Sequence, residues 1–374
     1  MSERSLSGAK KGENMTLRAL YLMAIVFVVD GHTSLGDMFD MDSLFRYYSF
    51  HLMLFAFGSG YFFTRRGSIL ASVGRRAKRM LLPLYLWNVV YGVGAAALRR
   101  LGGFELGEPL SAYTLLLAPV LDGEHFVYNL GSWFVFPLFL CQVIYDLLSR
   151  ASRLWRGNEW ATFLLCLIPG AAAAQMSFAA QSAVMPLFLS RTLILLPGYA
   201  FGVLYREKLE RLDTLPTVPY LTVIVILRAL LCTRYENLAY LLSNCTYFGC
   251  DAFGLYAGAL LAIAFYLRIA RLLAPLAARS RAALALSRHT FDIMMHHYMG
   301  FLAVNFIFLA INAAGLGASD FSVKSLRTVQ GYCYAPGNRP EWNVLYLLAG
   351  LALPMAVVFM QEKIGALLRR MMKK

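Results

Sequence analysis

The chain has 374 residues, of which 59% are apolar and 15% charged, and its mean hydropathy is +0.57. A soluble domain is nearer to about 45–50% apolar with roughly a quarter of its residues charged, so a chain folded around one water-facing core is excluded. A net charge of +14 would suit a nucleic-acid binder, but the Lys and Arg residues fall in short clusters between apolar runs. That is the pattern of membrane loops, and it leaves lipid headgroups and phosphates as partners rather than nucleic acid.

The chain begins polar and basic (Arg4, Lys10, Lys11, Arg18). No small-residue cleavage site follows the first apolar run, so that run is expected to stay as a helix. A helix needs about 20 residues to cross the hydrocarbon. Ten segments meet or approach that length: 15–33, 44–64, 80–98, 131–149, 160–178, 187–205, 218–232, 252–268, 289–312 and 343–360. The expectation is an all-α integral membrane protein, one domain over residues 1–374 with about ten transmembrane helices. The seventh segment, interrupted by Arg228, has the weakest pattern.

With the N-terminus in the cytoplasm, 26 of the 35 Lys and Arg residues fall in stretches facing that side. This bias predicts both termini inside, in the cell's inner membrane. The outer stretches 99–130 and 313–342 are long, as binding segments often are. Six cysteines give no framework. Cys141 and Cys166 lie in apolar runs, and a Cys245–Cys250 bridge stays open.

Ionisable residues inside membrane helices are expensive and mark candidate sites. The first helix ends in Asp30-Gly31-His32, with His32 near the outer face. His51 is expected about 10 Å below the outer end of helix two. A neutral imidazole there can take a proton from a hydroxyl, and the competing reading is a structural hydrogen bond. In the cytoplasmic loop, Arg76 and Arg79 are three residues apart and share a helical face. Their guanidinium forks suit phosphates; the bland reading is contact with lipid.

His296 and His297 are expected about 10–12 Å above the inner end of helix nine, lining a donor channel or a packed polar seam. Arg191 can hold an anionic acceptor or extend to the interface. Trp133 is either an interfacial anchor or a platform for a sugar ring. Asp122, Glu124 and His125 are more simply solvated than metal-binding, and no metal site is expected. There is no Walker-type phosphate loop and no His-Glu-x-x-His spacing.

Several motifs stand in one order: Gly31-His32; Phe50-His51-(x)2-Leu54-Phe55; Ser59-Gly60-Tyr61-Phe62-Phe63; Arg76-x-x-Arg79 with Pro83 downstream. Looser pieces follow in Gly131-Ser132-Trp133-Phe134, in Arg191 through Gly202, and in Ile293 through His297. Together they resemble the acyltransferase 3 family of membrane O-acyltransferases. The resemblance implies transfer of an acyl group, usually acetyl, from cytoplasmic acyl-CoA to a hydroxyl of an extracytoplasmic glycan or similar acceptor. It makes His32 the essential helix-one histidine, Arg76 and Arg79 the donor-associated pair, and Ser59-Gly60 the helix-two motif. Many members carry an Arg eleven residues before that histidine. Here position 21 is Tyr, and Arg18 is three residues too early. On the residues we hypothesise that His32 is the base, oriented by Asp30 or by a polar group on another helix. The alternative function is a multi-pass carrier of a glycan or small anion, against which no inverted repeat is visible.

Overall fold

The computed structural model describes residues 13–36, 38–123 and 126–371. Ten principal helices follow one another: α1 (Met15–Asp30), α2 (His51–Tyr61), α3 (Ile69–Gly102), α4 (Val135–Ala151), α5 (Glu159–Ala180), α6 (Leu187–Leu204), α7 (Thr217–Arg234), α8 (Ala252–Arg279), α9 (Thr290–Ala313) and α10 (Asn343–Met371). Among the described residues the one sheet is a small antiparallel hairpin of β1 (Tyr240–Leu241) and β2 (Tyr247–Phe248). Among the described residues eight helices are long and apolar enough to cross a membrane. Their outer faces are apolar, with Leu86, Val90, Ile168, Ile226 and Leu230 all exposed. Such surface belongs against lipid, and the protein is a multi-pass membrane protein.

The other two helices, α1 with 16 residues and α2 with 11, are shorter than a span requires. They lie at the centre of the bundle. Helix α1 packs against α2, α8, α9 and α10, and its Ile25 and Val29 have no solvent exposure. Helix α2 packs closely against α6 because glycines meet there. A Cβ on Gly60 would stand 1.8 Å from the Tyr199 carbonyl oxygen, and one on Gly202 would stand 2.0 Å from that of Phe57. Small residues let backbones approach this closely where no hydrophobic force acts between helices.

The continuous helix expected over 44–64 is not present. A single turn, Asp42–Phe45, and a 3-10 turn, Tyr47–Ser49, precede α2, with extended backbone at Arg46. The break is held by Arg228 from α7, whose Nε donates to the Leu44 carbonyl at 2.5 Å and whose Nη2 donates to Ser49 Oγ at 2.6 Å. A buried guanidinium needs acceptors, and an interrupted helix exposes carbonyls to supply them. His51 therefore begins its helix instead of lying two turns into it.

The third helix starts eleven residues earlier than expected, at Ile69, so Arg76 and Arg79 sit on a helix and not in a loop. Pro83 lies inside it, and its missing N–H leaves the Arg79 carbonyl without its helical partner. Cys245 and Cys250 form no bridge. Their thiols donate to separate carbonyls, those of Leu242 and Leu238.

The bundle has two unlike ends. At one, Arg65, Arg75, Arg76, Arg150, Arg206, Arg271 and Arg288 gather in salt bridges and carbonyl contacts. At the other the long connections interlock. Glu105 N–H donates to Arg327, Gln181 Nε2 to Phe248, and Cys333 N–H to Ser34 Oγ.

Candidate active site

A cavity of about 290 Å³ lies at the loop end, walled by α1, α2, α9, the 3-10 turn Val127–Phe134 and the β hairpin. His32, His51, Trp133, Tyr48, Tyr298 and Gln330 line it. His32 follows directly on the end of α1, where the chain turns at Gly31.

The His32 ring meets His297 of α9. Nδ1 of His32 and Nε2 of His297 are 2.9 Å apart, and the rings lie within 11° of parallel with centroids 5.0 Å apart. That geometry is an in-plane hydrogen bond. The other His297 nitrogen, Nδ1, stands 2.9 Å from the Met294 carbonyl and 3.1 Å from that of Ile293. Carbonyls only accept, so the proton of a neutral His297 is on Nδ1 and its Nε2 is an acceptor. His32 must then donate from Nδ1, which leaves its Nε2 lone pair for the cavity. His297 is fully buried whereas His32 is partly open. The arrangement is a backbone-anchored relay that fixes one tautomer of His32.

His51 is set in the same way. Its Nδ1 stands 2.6 Å from the Tyr47 carbonyl, so its Nε2 is an acceptor as well. Tyr48 packs edge-on against its ring and donates its hydroxyl to the Gly31 carbonyl, joining α1 to the start of α2.

The remaining expected residues fall into support roles. Asp30 is buried and turned away from His32. It accepts from the N–H groups of Met38 and Phe39, from Tyr47 Oη and from Asn343 Nδ2. His296 points from the next position on α9 toward α3, where Nδ1 meets Tyr91 Oη at 2.7 Å and Trp87 packs edge-on at 4.2 Å. Arg191 is buried behind Trp133. Its guanidinium carbon lies 4.8 Å from that ring centroid and Nη1 donates to the Asp122 carbonyl at 2.7 Å. It braces the aromatic wall and does not reach the cavity. Ser59 is hydrogen-bonded to Tyr21. Glu124 and His125 lie outside the described residues, whereas Asp122 accepts a hydrogen bond from Tyr113 Oη in the loop. That contact raises the Tyr113 phenol above its usual range.

At the basic end Arg76 is committed to Asp146 of α4 at 2.5 Å, where Asp146 also binds Arg150 at 2.8 Å. Arg79 is exposed and makes no ion pair among the described residues. Tyr21 lies between Arg79 and the cavity, with its ring 5.9 Å from that of Phe55 and 6.3 Å from that of Phe62. Eleven residues of chain from Tyr21 to His32 correspond to about 16 Å along a helix.

An acyltransferase domain family matches residues 17–360. The chain belongs to the acyltransferase 3 family. It is a multi-pass membrane acyltransferase. No curated protein and no solved structure matches it. Sequence reasoning missed several parts of this candidate site: the pairing of His297 with His32, the contribution of Tyr48, Tyr298, Gln330 and the hairpin to the cavity, and the Asp146 brace. An isolated Asp inside an apolar helix was the available signal for the last. The others depend on contacts between distant elements.

Proposed function

We propose that this acyltransferase moves an acetyl group from cytoplasmic acetyl-CoA, or a related short acyl-CoA, to a hydroxyl of an extracytoplasmic glycan or similar acceptor. On this reading it lies in the cell's inner membrane with both termini and the basic end facing the cytoplasm, as the charge bias favours. One observation carries the proposal: His32 presents an unprotonated Nε2, fixed by His297, to a cavity lined with aromatic rings and amides.

The chemistry balances with these groups alone. The acceptor hydroxyl gives its proton to His32 Nε2 as its oxygen attacks the thioester carbonyl. The carbon–sulfur bond breaks, and the departing sulfur takes the proton back from the imidazolium. His297 stabilises that imidazolium by accepting from Nδ1. His51 Nε2 accepts a hydrogen bond from a second hydroxyl of the acceptor, and the ring face of Trp133 supports a sugar. Asn244 and Gln330 carry the N–H groups that a developing oxyanion requires. Arg79 and its basic neighbours hold the phosphates of the donor, and Asp146 keeps Arg76 facing them.

The test is labelled acetyl-CoA with the purified protein and glycan acceptors, following released CoA and acylated glycan. His32→Ala is expected to lower transfer about 10²–10⁴-fold. Arg79→Ala is expected to raise KM for acetyl-CoA with a smaller change in kcat. Full transfer by His32→Ala overturns the mechanism, and acceptor movement without acylation replaces the enzyme with a carrier.

A further inference from the structure

Among the described residues no Asp, Glu, Lys or Arg lines the cavity. The charged side chains around it are engaged elsewhere. Asp30, two residues before His32, is turned away and accepts from four donors. Arg191 lies against Trp133 and donates to the Asp122 carbonyl, and Arg228 is held by the Leu44 carbonyl and Ser49 Oγ. Both guanidiniums stand behind the walls. Within the cavity, Trp133 and the hairpin residues Leu241 and Leu242 supply apolar surface, while His32, His51, Asn244 and Gln330 supply uncharged polar groups. Several of these groups have a fixed direction. Both histidines give Nδ1 to a partner, so each meets a ligand with its Nε2 lone pair. Asn244 Oδ1 accepts from the N–H and Oγ1 of Thr246, which leaves Nδ2 as its outward donor.

We infer that the acceptor unit entering this cavity is an uncharged sugar, a hexose or N-acetylhexosamine, and that uronates, sialates and sugar phosphates are excluded. The inference rests on the transfer reading above and narrows its acceptor. The two imidazole lone pairs require O–H or N–H groups from the ligand, and a polyol carries these all round its ring. A carboxylate or phosphate brings oxygens that only accept, and sets them against the same lone pairs. No guanidinium or ammonium lines the cavity to pair with it, and an ion left unpaired away from water is heavily penalised. At about 290 Å³ the cavity has the volume of roughly ten waters. That is room for one ring and an acetyl group, but not for an anion with its hydration shell. A free ammonium fares no better, because it would stand beside the imidazolium that forms on His32 during transfer.

The experiment gives the wild type labelled acetyl-CoA and an equimolar mixture of oligosaccharides ending in neutral hexose, N-acetylhexosamine, uronate, sialate or sugar phosphate. Fragmentation mass spectrometry then locates the label. The uronate members are also supplied after reduction of the carboxyl to a hydroxymethyl group, which removes the charge and keeps the ring. Label is expected on uncharged units, at least about a hundredfold above the acidic ones. Carboxyl reduction is expected to turn the uronate members into substrates. Comparable label on a uronate, sialate or phosphate-bearing unit overturns the inference. So does release of CoA with no sugar labelled, which leaves the transferase reading standing. Failure to release CoA with any member of the mixture rejects that reading instead, so the two failures are distinguishable.

Discussion

His32 owes its proposed reactivity to a partner 265 residues away in the chain. Its own candidacy was legible, because a histidine at the outer end of a membrane helix is costly to keep there. The identity of its partner was not. Asp30 stood two positions off in sequence and was one of the orienters considered, yet its oxygens are occupied by backbone and side-chain donors on the opposite side. His296 and His297 were indistinguishable as a pair, and only the packing of α9 separates the residue facing α3 from the one facing His32. If His297 fixes the His32 tautomer, His297→Ala should lower kcat about 10–100-fold, the range seen when the second partner of a working metal-bound imidazole is removed. KM for acetyl-CoA should stay near the wild-type value, as steady-state kinetics against donor concentration will report. An equal rise in KM would instead place His297 with the donor.

Among the elements, the long apolar runs gave the starts of α5 through α10 to within a residue, since period and length suffice for a helix surrounded by lipid and other helices, while α8 and α10 run eleven residues past their expected ends into basic, half-exposed turns. The interruption before α2 left no such mark. No Pro or Gly stands between Leu44 and His51, and the broken segment is held by a guanidinium arriving from α7. Arg228 interrupts the apolar run of the seventh segment, while its contacts are with the second. Arg228→Leu should therefore damage activity through His51 as well as lowering the thermal midpoint of the purified protein. A variant of unchanged activity would detach the break from the site. The contact of α2 with α6 is more direct. Gly60→Ala places a methyl group against the Tyr199 carbonyl, and overpacking of that kind costs about 1–3 kcal/mol. A reduced melting temperature in detergent is the expected reading.

Over the whole molecule, composition alone separated a membrane protein from a soluble one, and the clustering of Lys and Arg anticipated the two unlike ends of the bundle. The length of residues 313–342 marked them as a binding segment, and Gln330 does line the cavity; the β hairpin was not anticipated, because polar loops between helices carry no period. The proposed direction of transfer makes a simple demand on sidedness. A single cysteine at Arg79 should react with an impermeant maleimide from the cytoplasmic face, and one at Gln330 from the opposite face. Reaction of both from one side in sealed, oriented vesicles would remove the transmembrane mechanism.

The carboxylate of Asp30 ties the end of the first helix to the head of the last one through Asn343. During synthesis these two pieces leave the ribosome with nearly the whole chain between them. The loop carrying Met38 and Phe39 cannot settle fully until the tenth helix has entered the bilayer. A nascent chain still lacking the tenth helix would hold a nearly complete set of the candidate side chains without a finished mouth around them.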